Sequence, residues 1–446
     1  LIAGKLPPGP PLPAAAQLLA WLYQPARFFD ACHARYGDVF TMHLPGNAPR
    51  VMLARHPEIR QVFTGDPACL HAGAANALVA PLVGPRSVLI LDGAPHQRQR
   101  RLLLSLFNGR KAAEHGRTMR ALADEMIDRW PVGRPFSLGP EMQSLTLRII
   151  IATIFGARDV DERAALFALL TDLLEAAKNP LLLAPALQRD LGPLTPWRRF
   201  QGYLAQLDDM LAPLAARRRA DPGDDLLSQL VAATDEDGRP LSDRQIRDDL
   251  VTLLVAGHET TANALAWTTF HTLHDPAVHD RARAELATVV GDAPVGPEHL
   301  DALTWLGAII DEGLRINPVL AHVGRQLTAP MTVGGHDLPA GCMVVPNIYL
   351  AHRDPALYPD PDRFDPSRFT GERPSPQGYL PFGGGARRCI GMAFALQEMK
   401  IVLGTVLQRT DLALSPDARP GVQRRGVVWS PAGAVPVLQR RAPTTG

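Results

Sequence analysis

The chain reads as a mainly α-helical protein carrying small β-sheets, and three observations lead there. A run from Ser242 to His274 holds helical character without a proline and is stopped by Pro276; such a helix is on the order of 50 Å long at 1.5 Å per residue. Residues from about Thr118 to about Arg219 are helical by pattern, with breaks at Pro131-Val132-Gly133, Gly156 and Gly192-Pro193. Strand-like stretches are short, as in Asp38 to Leu44 and Arg50 to Leu53 around a turn at Pro45-Gly46-Asn47.

In order, the proline-rich opening from Leu1 to Pro11 is stiff and poor in helix potential. From about Ala14 to Tyr36, Leu18, Leu19, Leu22, Phe28 and Phe29 recur at helical spacing. After the first strand pair, His56-Pro57-Glu58 restarts a short helix ending near Phe63. Cys69 to Ile90 is rich in Ala, Gly and Pro with no firm period, which reads as a long loop, functional or plain surface. A helix opens after Pro95, and His96 and Arg100, four apart, share one of its faces. A solvated basic face has the same pattern.

Ala176 to Trp197 sets Pro180, Pro185, Pro193 and Pro196 among leucines, expected either as a mobile apolar lid or as a surface that meets a membrane. The long helix starts on the capping box Ser242-x-x-Gln245, with Asp243 at its positive end. Its charges, Glu259 among them, exclude a transmembrane reading. In its middle, Ala256-Gly257-His258-Glu259-Thr260-Thr261 places a glycine and two threonines where each costs up to about 1 kcal/mol relative to Ala. Such inconsistency marks a packing glycine or a functional site.

Leu303 to Asn317 forms another helix, ended by Pro318, with Glu312 and Arg315 on one side; as a surface pair they would contribute about 0.2–0.5 kcal/mol. Val323 to Leu327 and Met343 to Pro346 read as strands, with turns at Gly334-Gly335 and Pro339-Ala340-Gly341. The tail carries a last hairpin at Val427-Val428-Trp429.

With 446 residues, 46% hydrophobic and 20% charged, the chain can bury a large core. Its net charge of +1 gives no global field toward nucleic acid or anionic membrane. Four cysteines without a C-x-x-C pair argue against a disulfide framework or structural zinc and point to a reducing compartment. With no signal-peptide core and no membrane-length apolar run, a cytoplasmic protein is expected. No repeat or linker divides the chain, so residues 1–446 are expected as one domain.

The chemistry concentrates in Phe382-Gly383-Gly384-Gly385-Ala386-Arg387-Arg388-Cys389-Ile390-Gly391, followed by the apolar run Met392 to Leu396. A glycine-rich loop delivers one cysteine to the start of a helix, where the dipole and unpaired N–H groups favour thiolate. The glycines permit close approach of a flat partner, and Arg387 can pair with an anion at its edge. No Gly-Lys-Ser/Thr follows, and the third glycine is misplaced for a dinucleotide fingerprint. A thiolate beneath a planar anionic cofactor is the arrangement of thiolate-ligated haem.

Phe382-x-x-Gly385-x-Arg387-x-Cys389-x-Gly391 resembles the haem-binding signature of the cytochrome P-450 family, and motifs over essentially the whole chain follow in family order. The resemblance implies that family's fold, with the long helix above haem b and the cysteine loop beneath it. It implies Cys389 as axial iron ligand, and His96, Arg100, Arg325 and Arg387 as propionate partners. Ala256-Gly257-His258-Glu259-Thr260-Thr261 resembles the family's A/G-G-x-D/E-T-T signature. There the glycine lets the helix pass close over the cofactor, Thr260 bonds dioxygen and Glu259 relays protons. Glu312-x-x-Arg315 resembles the E-x-x-R motif and Arg368 its third partner, a structural ion network; Ser367 stands where the family's usual glutamate would be. Leu320, Ala321, Val323 and Val428 are implied as substrate-lining, and Ala176 to Trp197 as the access region.

The activity implied is haem-thiolate monooxygenation, inserting one atom of O2 into a C–H bond, by hydroxylation or epoxidation. The substrate expected is small and apolar, such as a fatty acid, terpenoid or polyketide-like compound, since the pocket stretches are mostly Ala, Leu and Val. His322 is the one polar candidate there, and a solvent-facing role is open to it. No reductase domain follows the cysteine helix, so electrons are expected from a ferredoxin or flavodoxin-type donor. Arg98, Arg101, Arg110, Lys111 and Arg388 motivate its docking on the cysteine face, and a monomer is expected. The alternatives are a peroxide-driven peroxygenase, a redox-silent haem sensor or carrier, and a non-haem enzyme with a cysteine nucleophile. Glu259-Thr260 argues against the first, whose family members place an arginine there.

Overall fold

The computed structural model describes residues 6–106, 112–156, 159–179, 182, 188–190, 192, 195–223, 225–235, 237–371, 378–433 and 435–441. It is mainly α with small sheets, wound around one helix, Asp243–His274, of 32 residues. Ser242 caps it by accepting from the Gln245 N–H at 3.2 Å. The expected reciprocal half of the capping box does not form, because the Gln245 amide is drawn instead to the Arg86 carbonyl and the Asp249 carboxylate, both at 3.2 Å.

The C-terminal half of this helix, through Ala262, Leu265 and Ala266, is buried among helices Ala112–Ile127, Leu138–Ile150, Pro276–Val289, Thr304–Ile316 and Met392–Arg409. Its N-terminal half, through Leu250, Val251 and Leu254, packs on Val160–Ala177, Pro196–Ala220 and Leu226–Ala232. An apolar face on every side explains why the helix shows no single stripe.

The strands make a five-stranded sheet in the order 39–42, 50–53, 343–346, 325–327, 70–71. Val39 pairs antiparallel with Leu53 and Arg50 parallel with Met343, which fixes the register of the two halves. Beside it stand hairpins Val422–Arg425/Val428–Pro431 and Met331–Val333/His336–Leu338, and a three-stranded sheet in which Pro436–Gln439 lies between Pro135–Ser137 and Leu412–Leu414.

Three expectations change. The pattern from Ala14 to Tyr36 divides into Ala14–Tyr23 and Pro25–Tyr36, since Pro25 offers no N–H and starts the second helix instead. The stretch from Cys69 to Ile90 is no featureless loop: it holds a strand at Leu70–His71 and helical turns at Ala72–Ala75 and Ala80–Val83. The helix expected after Pro95 already begins at Gly93. Of the lid, Pro180, Pro185 and Pro193 lie outside the described residues, as do Arg110 and Lys111. No helix among the described residues is long and apolar enough to cross a membrane.

Candidate active site

Cys389 sits three residues ahead of helix Met392–Arg409, in a loop held by its own backbone, the Cys389 N–H donating to the Phe382 carbonyl at 2.9 Å. The thiol has accessible surface, yet burial among protein atoms pushes its pKa up, against the Gly391 N–H, Arg100 and Arg388, which pull it down. Accessibility and desolvation coexist where a side chain faces an internal hollow rather than bulk water.

Gly383 and Gly385 take the unusual backbone angles expected of the loop's glycines, and Gly384 and Gly385 also make room for a neighbouring helix. Gly385 has φ +63°, and a Cβ there would stand 1.8 Å from the Phe63 carbonyl oxygen; one on Gly384 would meet the Phe63 ring at 2.4 Å. The close approach they permit is to helix His56–Thr64. Gly383, at φ +66°, serves the turn alone. Phe382 is partly buried against the main core.

The middle of the central helix carries the second group of expected site residues. Ala256 is exposed and Thr260, one turn on, partly so, although their neighbours Leu254, His258 and Thr261 are buried. The two share a face. The Thr260 hydroxyl donates to the Ala256 carbonyl at 2.6 Å. Gly257 turns to the flank, where a Cβ would touch Ile150 Cδ1 at 3.3 Å, so its missing side chain serves packing on helix Leu138–Ile150. His258 points away, its Nε2 donating to the Gln143 carbonyl at 3.0 Å. Glu259 takes the opposite flank and pairs with Lys178, Nζ to Oε1 2.7 Å.

One edge of the hollow is strongly basic. His96, buried, has its pKa lowered to about 4 by burial and by Arg387 and Arg100. Arg325, also buried, is lowered to about 10 by burial and by Arg387. Arg100 is lowered by burial and feels Cys389. Arg387 is held by Asp92 Oδ1 at 2.5 Å and by the carbonyls of Val88, at 2.9 Å, and Leu91. Asp92 is committed as well to the N–H groups of Gly73 and Ala74, at 2.9 and 3.2 Å. One carboxylate thus acts on Arg387 and Arg325 in a partly desolvated place shared with Arg100, and a dianion would balance the excess. Sequence reasoning passed over Asp92; its one signal was an acid directly before Gly93, where a helix begins.

Glu312 and Arg315 are fully buried and joined by two bonds of 2.6 and 2.8 Å. Glu312 also accepts from the Asp365 N–H at 2.8 Å, and Arg368 Nε approaches it to 3.5 Å. Arg315 continues to the His352 carbonyl, and His352 Nε2 accepts from the Leu380 N–H, both at 2.8 Å. The network therefore reaches the strand of chain that enters the cysteine loop. Ala321 and Val428 are buried while Leu320 and Val323 are partly exposed. His322 is not turned to solvent but accepts from Trp21 Nε1 at 3.2 Å.

The remaining residues bear no motif, so comparison with known proteins is the independent check. The cytochrome P-450 family model matches residues 7–435. A protein of Mycobacterium tuberculosis named as a candidate cytochrome P-450, 135B1, is 40% identical over 438 residues, 96% of this chain and 89% of its own length. Another from that organism, named as candidate cytochrome P-450 138, is 35% identical over 98% of this chain and 97% of its own. Among solved structures, retinoic-acid-bound cyanobacterial CYP120A1 superposes with a TM-score of 0.86 at 25% identity, covering 98% of this chain and 100% of that one. The cytochrome P-450DA haem domain does so at 0.82 and 25%, covering 99% and 98%. An accessible yet desolvated cysteine, a basic group beside it and these likenesses together say that the chain belongs to the cytochrome P-450 family, haem-thiolate monooxygenases whose standard cofactor is haem b.

Proposed function

We propose that this chain, as a single haem domain, hydroxylates or epoxidises a small apolar molecule, with Cys389 as the iron ligand. The observation that carries this is an accessible but desolvated Cys389 beside Arg100, in a chain whose central helix opens its Ala256–Thr260 face. The residues present fit haem b. Arg325, Arg100 and His96 supply donors for its propionates, and Arg387, already spent on Asp92, secures the 88–92 segment beside them. Bound there, the haem supplies dioxygen activation and the oxidising power.

The protein's share is positioning and protons. The Gly391 N–H steadies the thiolate. Thr260 Oγ1, its proton now given to the Ala256 carbonyl, keeps lone pairs toward the hollow and can take and pass a proton there. Glu259 can carry protons to it once it leaves Lys178. Leu320, Ala321, Val323 and Val428 would line the apolar part of the cleft. The retinoic acid of CYP120A1, an apolar isoprenoid acid, favours the fatty-acid or terpenoid end of the substrate range. Electrons would come from a ferredoxin or flavodoxin-type donor docking near the exposed Arg98, Arg101 and Arg388.

The test is the absorption spectrum of purified protein, reduced with dithionite, with and without carbon monoxide. A strongly red-shifted Soret band, abolished in Cys389→Ala, is the expected result. A band typical of histidine or neutral-thiol ligation would overturn the ligand assignment, and haem-free protein from a haem-replete preparation would overturn the whole reading.

A further inference from the structure

Arg50 and Arg424 make a separate concentration of positive charge, outside the group around Arg387. Arg50 opens a strand of the five-stranded sheet; its Nη1 lies 2.7 Å from Met343 Sδ and its Nη2 donates to Asn47 Oδ1 at 3.3 Å, while its buried Nε has no partner among the described residues. Arg424, on the hairpin Val422–Arg425, lays its guanidinium over the Trp21 indole with Cζ 3.8 Å from the ring centre. Burial lowers the pKa of both, and Arg50 further lowers that of Arg424, to about 10; no carboxylate opposes either shift. Both side chains nonetheless keep some accessible surface.

His322 ties them to the cleft. Its Nε2 accepts from Trp21, and burial with Arg424 and Arg50 nearby lowers its pKa to about 3. It is therefore neutral and adds no charge, serving to hold the indole under Arg424. His322 lies between Ala321 and Val323, three residues from Arg325, a reach of at most about 10 Å. Arg424 pairs across its hairpin with Trp429, next to Val428. The segment 320–325 thus has the Arg50–Arg424 pair beside one end and the Arg325 edge of the hollow at the other.

We propose that Arg50 and Arg424 anchor the carboxylate of an apolar acid substrate whose chain runs along residues 320–323 toward the central helix. The assignment deepens the apolar-substrate reading above and rests on it. A planar two-oxygen monoanion matches the guanidinium fork. Trp21, Phe29, Trp429 and Met343 around the pair make the dehydration of a doubly charged phosphate costlier than that of one carboxylate. The same apolar wall suits the methylenes that follow.

The probes are dodecanoic acid and 1-dodecanol, titrated into haem-loaded protein and followed by the haem spin-state shift and, independently, by calorimetry. The parent is expected to bind the acid about 10- to 100-fold tighter than the alcohol, the scale of two charge-assisted bonds. Arg50→Gln and Arg424→Gln should each shrink that ratio, the double variant should bring it near unity, and Arg→Lys at either position should restore part of it. Because the ratio is read within one preparation, a loss of folded protein does not imitate the effect. Equal affinities in the parent, or a preference that survives the double variant, overturns the inference and leaves the haem reading standing. If neither probe nor any other apolar ligand perturbs either signal, the apolar-cleft reading and the anchor fall together.

Discussion

Lys178 Nζ stands 2.7 Å from Glu259 Oε1 and 2.5 Å from Glu175 Oε1, bridging the end of helix Val160–Ala177 to the middle of the central helix. Lys178 and Glu259 are both largely shielded, with side chains 17% and 16% exposed. A proton carrier at position 259 must leave this partner to reach Thr260.

Glu259→Gln is accordingly expected to slow product formation by about 100-fold, within the range for a positioned acid–base group, and to enlarge the solvent isotope effect. The spin-state affinity for substrate should stay unchanged. Lys178→Met should change the rate by less than about tenfold while altering the same isotope effect. If the pair is only a strut, both variants will lower the melting temperature alike and leave the isotope effect alone.

Removing one member of a buried ion pair strands the other. Glu312→Ala leaves Arg315 fully buried without its anion, a loss of about 3–5 kcal/mol against a typical total of about 5–15 kcal/mol. The denaturation midpoint of this variant and its yield of folded, haem-loaded protein should fall well below the parent's. Arg368, 3.5 Å from the same carboxylate and bonded also to the Asp360 carbonyl at 3.0 Å, should matter less. Denaturant melts of Arg368→Ala will check the order; a variant as unstable as Glu312→Ala would refute it.

These contrasts show what the sequence could and could not announce. The family, the central helix and the cysteine loop were legible because each is a local pattern: a run without proline, glycines before a cysteine, an i, i+3 pair. Lys178, Asp92 and the Arg50–Arg424 pair were not, because each acquires meaning from a partner far along the chain: Lys178 from Glu259, Asp92 from Arg387, Arg424 from Trp21. The second reason for Gly384 and Gly385 was hidden on the same ground. A motif says that a side chain is unwelcome but not which neighbour, here Phe63, excludes it.

His258 is one of several buried imidazoles, with His96, His271 and His322, that weaken the fold in acid. Burial lowers its pKa to about 4, whereas the unfolded chain titrates near the ordinary value of about 6.5. Above that value both states are neutral and the residue has no effect. As pH falls, the unfolded state takes up the proton first. Stability then drops by about 1.4 kcal/mol per pH unit, reaching about 3 kcal/mol near pH 4. His258→Gln keeps a donor for the Gln143 carbonyl but cannot titrate. Thermal melts between pH 7.5 and 4.5 should show a shallower decline in this variant; an unchanged slope would remove His258 from the account.

Glu398 works in the opposite direction. Its side chain lies on helix Met392–Arg409, is 1% exposed and has no partner for Oε1 among the described residues, and burial alone pushes its pKa well above the ordinary carboxylate value. The folded protein therefore favours its neutral form. The unfolded chain releases this proton from about pH 4.5 upward while the folded state keeps it, so stability is lost at about 1.4 kcal/mol per unit as pH rises. Glu398→Gln preserves the shape and abolishes the ionisation. The variant should match the parent near pH 4.5 and exceed it in melting temperature at pH 8, with haem content unchanged. A variant less stable at pH 8 would mean that the carboxyl is ionised and paired in the folded protein, and that its isolation in the core is wrong.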